Sequence, residues 1–371
     1  MTNTLDIIDH CTRLAPSDAL YALRRERLKI VESTQGSYDA MFDDAVVGVS
    51  VAERLSIAKH ACELSGAHSL AAHYTQRLKK ASDAAATERV RALLTFTKKL
   101  IIKPIDGDRK AVEALQDVGL SAPAIVAVGQ LIAFLSYQIR LVAGLEAMQA
   151  AGANTAAVIA PPEVSGECLP SPMHIKGFTN EVLDWHSWIE PLHLEEATPE
   201  QLAAIDAMSP TAKNQQYFRM LAHQPEMLLQ RSIAFNAIMF APGGMPRSER
   251  ELGATVESRL NGCVYCASVH AQRFEQLTKR NDVIAQLFED PATAGTTPRE
   301  RLIVQLSSVI ALTPEKLNSA YVQQASAAGL SDAETLDLIH AVALFAWANR
   351  LMLNLGEPYR LDGTLAEKGQ L

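Results

Sequence analysis

Cysteine is scarce in this chain, which has five among 371 residues. Five cysteines are too few to build a disulfide scaffold in a protein of this size. Cys11, Cys62 and Cys168 are isolated in the sequence, and we expect them to be unreactive thiols. Only Cys263 and Cys266 stand close together, three residues apart. Any sulfur chemistry is therefore expected at that pair.

Positive charge is also in short supply, with 34 lysines and arginines against 42 aspartates and glutamates and a net charge of -8. The basic residues are scattered, so no basic face is predicted that would neutralise phosphates, and nucleic acid is not an expected partner. The amino-terminal residues lack the charged and then apolar regions of a secretory signal. These absences favour a cytoplasmic protein.

Residues 121–139 form an uncharged run that approaches the length of a membrane span. A related segment later in the chain carries Asp332, Glu334 and Asp337 at equivalent places. Because charged side chains are costly in a bilayer, this pattern predicts a buried helix and no membrane partner.

The chain contains two copies of one unit. Residues 89–146 align with residues 299–356 without a gap, at a shift of 210 (299 minus 89). Upstream the shift is 197 (270 minus 73), which aligns His73 with His270. We place the difference of 13 residues (210 minus 197) in the loop around residues 290–298. Such a repeat predicts two related units that bury matching faces against each other.

Helical signals dominate both copies, and no run of alternating polar and apolar residues indicates a strand. Thr297 followed by Pro298 is typical of a helix start, and Ser248 with Glu251 three residues later resembles a capping box. Proline and glycine are frequent between residues 151 and 177, which indicates a linker, and Trp185 and Trp188 are expected to pack part of it on a domain surface.

The predicted architecture is therefore all-α, with two tandem helical domains related by internal duplication. The first domain covers residues 1–150 and the second covers residues 205–371. The linker covers residues 151–204.

The segment from Asn261 to His270 carries the most chemistry, because it places two thiols and an imidazole on a predicted helix start. A thiolate is the form of cysteine that attacks a peroxide, and a helix N terminus favours that anion, so we expect a lowered cysteine pKa. His270 follows Cys266 by four residues on the same helix face and can take its proton. Glu251, twelve residues before Cys263, is the candidate to orient His270, and Glu257 is its competitor.

This pattern of Glu251, Cys263, Cys266 and His270 resembles the alkylhydroperoxidase D-like branch of the carboxymuconolactone decarboxylase superfamily. The runs Gly329-Leu330-Ser331-Asp332 and Asn349-Arg350-Leu351 are similar to the peroxidase-related enzymes of that branch. The resemblance covers residues 205–360 well and the first 150 residues more weakly.

The resemblance implies two all-helical domains of that type, assembly into homo-oligomers, and reduction of a peroxide by an antioxidant enzyme without a cofactor or metal. It assigns Cys266 as the peroxidatic thiol, Cys263 as the resolving thiol, His270 as the proton carrier and Glu251 as its partner. A lipoyl or thioredoxin-like dithiol is the implied electron donor. The chain departs from the pattern at Tyr265, where relatives have a second histidine.

The first copy departs much further from the pattern. Gly66 and Ser69 stand where the cysteines are expected, and Arg54 stands where the acid is expected. His73 is retained, with His68 opposite Tyr265. Because thiol chemistry needs sulfur, we predict that this copy is a degenerate, structural half.

Other functions stay open at this point. The two thiols and His270 are possible zinc ligands, although a fourth ligand is absent from the segment. A redox sensor or structural protein without turnover is a second alternative, and decarboxylation of a lactone is a third, although that branch does not depend on a cysteine pair. We expect His340 to be a core histidine, and Arg350 to form a structural ion pair because Arg140 occupies its place in the other copy.

Overall fold

The computed structural model describes residues 6–81, 87–152 and 166–371. Within these ranges the chain forms seventeen α-helices and four short strands, so the fold class is all-α as predicted. The first group of helices is α1 (Ile7–Thr12), α2 (Ala19–Arg25), α3 (Leu28–Met41), α4 (Val51–Leu64), α5 (His68–Ala81), α6 (Glu88–Ile102), α7 (Arg109–Asp117) and α8 (Ala122–Ala151), with a 3₁₀ helix at Pro104–Asp106.

The second group follows the strands β1 (His174–Ile175), β2 (Phe178–Thr179) and β3 (Leu183–Ser187). It consists of α9 (Pro199–Asp206), α10 (Gln216–Leu221), α11 (Pro225–Phe240), α12 (Arg247–Leu260), α13 (Val264–Thr278), α14 (Asp282–Glu289), α15 (Pro298–Leu312), α16 (Ser319–Ala327) and α17 (Asp332–Asn354), with 3₁₀ helices at Ala212–Asn214 and Pro314–Lys316. Strand β4 (Gly356–Arg360) comes last.

The internal repeat is visible element by element. Helix α6 begins 210 residues before α15 (298 minus 88), and the pairs α7 with α16 and α8 with α17 begin at the same shift. Helices α2 and α3 begin 197 residues before α10 and α11 (216 minus 19 and 225 minus 28). The duplicated unit therefore extends from α2 to α8 in the first copy and from α10 to α17 in the second.

The prediction that the additional residues of the second copy form only a loop was wrong. Helix α14 lies between α13 and α15, where the first copy has only residues 82–87. The helix forms because Val283, Ile284, Leu287 and Phe288 are spaced on one face, and that face is buried in the core.

The two copies share one hydrophobic core, in which α8 packs along α17. Two polar pairs at equivalent places join these helices. The Tyr137 hydroxyl lies 3.0 Å from Nδ1 of His340, and Trp347 Nε1 donates to Oε1 of Gln130 at 3.0 Å. Burial lowers the pKa of His340 to about 3, so it is a neutral core histidine, as predicted.

A second reciprocal contact involves two buried arginines. Arg140 on α8 donates to the carbonyl oxygen of Ala311, and Arg350 on α17 donates to that of Ile101, its equivalent in the first copy. Each guanidinium also lies 3.9 Å from the buried carboxylate of Glu257. The prediction of a structural ion pair at Arg350 is confirmed.

Helices α8 and α17 are long and apolar enough to cross a membrane by length and composition alone. The most apolar window of α8 is 100% buried inside the protein, and that of α17 is 89% buried. Their apolar character is therefore accounted for by the shared core, as predicted for α8.

Close approach of α8 and α17 requires a glycine at position 144. A Cβ there would lie 2.6 Å from Cγ2 of the buried and β-branched Ile339. We expect Gly144→Val to lower the free energy of unfolding by about 1–3 kcal/mol through overpacking. Ala150→Val, at an exposed position of the same helix, is the control. Equal urea midpoints for the two variants would show that the helices tolerate separation at this point.

The segment before α9 packs on the second copy from residue 166 onward. Strand β3 pairs antiparallel with β4, and the buried Trp185 on β3 donates through Nε1 to the carbonyl oxygen of Met352 at 3.0 Å. Trp188 is partly buried against the same core. The linker and the end of the chain are thus held together beside the start of α13.

Candidate active site

A tight turn places the thiols opposite the helix that precedes them. Gly262 joins α12 to α13 with φ of 74°, a left-handed conformation that favours glycine. A Cβ at this position would collide with Ile105 of the first copy. Cys263 is the N-cap residue of α13, and Cys266 lies in the first turn of that helix. The turn reverses the chain, so that α12 and α13 pack against each other.

Both thiols are free and buried, with Cys263 1% and Cys266 4% exposed. Burial raises the pKa of Cys266 well above its ordinary value, and a hydrogen bond with Cys263 raises it further. The expected lowering of the pKa was therefore wrong for Cys266, because burial disfavours the thiolate and the nearby Arg231 only partly counteracts it. The reduced protein holds this sulfur as a neutral thiol.

His270 and Glu251 form a buried pair one turn beyond Cys266. Nδ1 of His270 lies 2.6 Å from Oε2 of Glu251, and Nε of Arg247 donates to Oε1 of the same carboxylate at 3.2 Å. Burial opposes ionisation of Glu251, but His270 and Arg247 outweigh it and hold the pKa of Glu251 below its ordinary value. The carboxylate accepts from Nδ1, which leaves Nε2 of His270 as the basic nitrogen.

Glu257, the competing acid, lies elsewhere. Its Oε1 accepts a hydrogen bond from Asn261 at 2.5 Å and faces Arg140 and Arg350. Burial raises the pKa of Glu257, and the two arginines counteract that effect. Of the two carboxylates left open by the sequence, Glu251 is thus the partner of His270.

A cavity of about 200 Å³ reaches Cys263 and Tyr265. Trp185 and Trp188 from the linker form part of its wall, and the first copy contributes residues 105 and 107–109. Cys266 and His270 are buried but do not line this cavity. Burial raises the pKa of Tyr265 to about 12, so the residue in place of the second histidine is a neutral phenol. The copy without a thiol pair therefore helps to build the site that has one.

The equivalent region of the first copy has a different arrangement. Arg54 donates to the carbonyl oxygens of Met41 and Asp43, and Nε2 of His73 lies 2.7 Å from the Tyr38 hydroxyl. Burial lowers the pKa of His73 to about 4. A cavity of about 360 Å³ beside Ser69 matches the cavity of the second copy, and none of its lining residues is a cysteine. These contacts join the region to the surrounding fold, and the interpretation of the first copy as a degenerate half stays a prediction.

The described part of the chain has no cluster of side chains suited to a metal ion. No group of three or more His, Cys, Asp or Glu side chains lies there in a position to hold a metal ion. Cys263, Cys266 and His270 thus do not form such a group in this arrangement.

Two residues near the thiols were missed by the sequence analysis. The buried Arg231 on α11 lies close enough to Cys266 to favour its anion, and Tyr217 on α10 interacts with both thiols. A signal was available in the repeat, because Thr34 and Leu20 occupy these places in the copy without the thiol pair, at the shift of 197 (231 minus 34 and 217 minus 20).

Comparison with known proteins identifies a family for part of the chain. Residues 225–306 match the carboxymuconolactone decarboxylase family, and the matched segment contains Glu251, Cys263, Cys266 and His270. A search of curated proteins found no match.

Two solved structures are similar to part of the chain. One is an alkylhydroperoxidase AhpD core, an uncharacterized peroxidase-related protein from Ralstonia eutropha JMP134, with 22% identity, 46% of this chain and 87% of that chain covered, and a TM-score of 0.39. The other is an uncharacterized peroxidase-related protein from Silicibacter sp. TM1040, with 19% identity, 45% and 92% covered, and a TM-score of 0.39. Residues 225–306, the segment that contains the thiol pair, are therefore similar to the carboxymuconolactone decarboxylase family.

Proposed function

We propose that this protein is a thiol-dependent hydroperoxide reductase that uses Cys266 and Cys263 as its redox pair. The observation that carries the proposal is the buried pair of His270 and Glu251, one helical turn after a Cys-x-x-Cys segment. A neutral buried thiol needs a base at hand before it can attack. The free Nε2 of His270, oriented by the carboxylate at Nδ1, is suited to that role.

The reaction proceeds in three steps in this proposal. His270 takes the proton of Cys266, and the sulfur attacks the outer peroxide oxygen, so that the O–O bond breaks. Cys266 becomes a sulfenic acid, and the departing alkoxide or hydroxide takes the proton from His270. The Cys263 thiol then attacks the sulfenic sulfur, which forms the disulfide and releases water. A dithiol donor reduces the disulfide and is itself oxidised.

The two sulfurs have different surroundings, which is consistent with different roles for Cys263 and Cys266 in the reaction. Cys263 lines the cavity, whereas Cys266 does not belong to its wall. We infer that the dithiol donor enters the cavity and attacks the disulfide at Cys263. A lipoyl or thioredoxin-like dithiol is the proposed donor, and a small peroxide is the proposed substrate.

Peroxide consumption by the purified protein tests this function. We expect many equivalents of hydrogen peroxide or of an organic hydroperoxide to be consumed per protein when dithiothreitol, dihydrolipoamide or reduced thioredoxin is supplied. Omission of the dithiol is the control and should limit consumption to one equivalent. A single stoichiometric oxidation with every donor would indicate a redox sensor, and no oxidation at all would exclude thiol chemistry with peroxides.

Other features of the proposal stay predictions. They are assembly into homo-oligomers, a cytoplasmic location, the absence of nucleic-acid and membrane partners, and the division into domains at residues 1–150, 151–204 and 205–371.

A further inference from the structure

Arg231 differs from every other buried arginine in the described residues. Eight of these nine arginines donate a hydrogen bond to a carbonyl or carboxylate oxygen: Arg24, Arg54, Arg140, Arg250, Arg259, Arg280, Arg299 and Arg350. Arg231 is 3% exposed, its Nε is buried without a partner, and no hydrogen bond or ion pair of its side chain is found within the described chain. A buried charge without a partner is costly, so its presence requires an explanation.

Aromatic rings hold the Arg231 guanidinium in place. Its Cζ lies 5.5 Å from the ring centre of Tyr217 and 5.9 Å from that of Trp347. The Tyr217 hydroxyl is also buried without a partner in the described residues, and its ring packs edge-on at 5.4 Å against Trp185 of the cavity wall. Cation–π contacts orient a guanidinium but do not neutralise its charge. The positive charge is thus kept available beside the site.

The two copies provide an internal comparison. In the first copy Thr34 occupies the place of Arg231, and its hydroxyl lies 3.0 Å from the Tyr137 hydroxyl, where Tyr137 is the equivalent of Trp347. The same helix contact is therefore made there with a neutral side chain. The unpaired cation occurs in the copy that has the thiol pair, and near Cys266 it opposes the effect of burial on the pKa of that thiol.

We propose that Arg231 is a positioning residue for the thiol chemistry, whose unpaired guanidinium is the built-in counter-charge of the Cys266 thiolate. This inference rests on the proposed function for its purpose, since a thiolate is what attacks a peroxide. With this counter-charge, the neutral Cys266 thiol can lose its proton transiently. His270 takes the proton, and Arg231 stabilises the negative charge left on sulfur.

Several other titratable groups interact with the same sulfur: Cys263 at the N-cap of α13, Tyr265 on α13 and Tyr217 on α10. His270, paired with Glu251 of α12, lies one turn after Cys266. Asp184 on β3 acts on Tyr265. A change in the pH profile at Cys266 can therefore be assigned to Arg231 only if these groups stay in place, which calls for a conservative variant.

The test is the rate at which Cys266 is alkylated by iodoacetamide as a function of pH, in a Cys263→Ser background and resolved by peptide mass spectrometry. Because the rate follows the thiolate fraction, loss of the cation should raise the apparent pKa by about one unit or more. We expect Arg231→Gln to slow alkylation of Cys266 about tenfold or more, and Arg231→Lys to stay within about threefold of the parent. No peroxide is used, so the result is independent of whether the proposed turnover occurs.

Two controls separate charge from packing. The buried Cys11 and Cys62 of the first copy report general loosening, and Thr34→Val changes the equivalent place beside no thiol pair. An unchanged or faster rate at Cys266 in Arg231→Gln would overturn the proposal. An equal change in the alkylation rates of Cys266, Cys11 and Cys62 would also overturn it. If Arg231→Gln does not fold, Arg231→Lys decides the question, provided that its melting temperature equals that of the parent. A slowed alkylation of Cys266 in Arg231→Lys would then contradict the proposal, and an alkylation rate close to that of the parent would support it.

Discussion

Replacing Cys266 with serine is expected to abolish peroxide-dependent turnover. A serine hydroxyl is a far weaker nucleophile than a thiolate, and it cannot form a disulfide with Cys263. The substitution exchanges one sulfur for oxygen in a buried position, so the fold should be retained. We expect the rate of peroxide consumption with dithiothreitol to fall to that of dithiothreitol alone. The thermal melting temperature of the variant checks that the loss is chemical.

The partner variant Cys263→Ser should behave differently. Cys266 can still be oxidised once, but without the resolving thiol the reaction stops at a sulfenic acid that a dimedone-type reagent traps. Cys168→Ser, at an exposed cysteine remote from the pair in sequence, is the matched control and should turn over as the parent does. Undiminished turnover by both Cys266→Ser and Cys263→Ser would eliminate the mechanism. A trapped sulfenic acid at position 263 in the Cys266→Ser protein would reverse the two roles.

Glu251→Gln is expected to lower turnover by about 10²–10⁴, the usual contribution of general acid–base catalysis. The carboxylate accepts from Nδ1 of His270 and thereby keeps Nε2 basic, whereas an amide neither holds that tautomer reliably nor stabilises an imidazolium. The measurement is kcat against pH in the presence of a saturating dithiol. His270→Ala should cause a loss of similar size, and the double variant should lose little more, because the two residues act as a unit.

The difference in the free energy of unfolding between the parent and Glu251→Gln should decrease as the pH falls. The folded pKa of Glu251 is held below its ordinary value, so the carboxylate stabilises the fold above the unfolded pKa of about 4.3. That contribution is lost as the pH falls through the folded pKa. The free energies of unfolding of the parent and the variant should therefore converge at acid pH.

Glu257→Gln is the contrasting variant for the same experiment. It removes the charge that faces Arg140 and Arg350 and leaves the pair of His270 with Glu251 untouched. We expect a loss of stability on the order of 3 kcal/mol, with turnover per folded molecule unchanged. A collapse of turnover in Glu257→Gln with full turnover in Glu251→Gln would contradict the assignment of the acid.

Much of the fold could be predicted from the sequence because the chain contains two copies of one helical unit. The sequence repeat aligns α6 with α15 and α7 with α16, and it predicts that Arg140 and Arg350 are equivalent structural residues. Helix α14 was not predicted because it has no counterpart in the first copy. The pairing of β3 with β4 was not predicted because it joins segments distant in sequence, and pairing of that kind leaves no local pattern.

The sequence predicted which residues form the site more fully than it predicted the pKa values of those residues. The spacing of Glu251, Cys263, Cys266 and His270 located the residues, but the raised pKa of Cys266 depends on burial by side chains from several helices. Ser248 and Glu251 resembled a capping box, yet the N-cap residue is Pro246 and Glu251 binds His270 instead. A local pattern competes with tertiary contacts, and here the tertiary contact prevails.

The most direct test of the account is to treat the reduced protein with one equivalent of peroxide and map its cysteines by peptide mass spectrometry. We predict a disulfide between Cys263 and Cys266, a loss of two hydrogen atoms from that peptide, and unmodified Cys11 and Cys62. Reduced Cys263 and Cys266 after peroxide has been consumed, or an oxidised sulfur at one of the other three cysteines, would contradict the proposed redox pair.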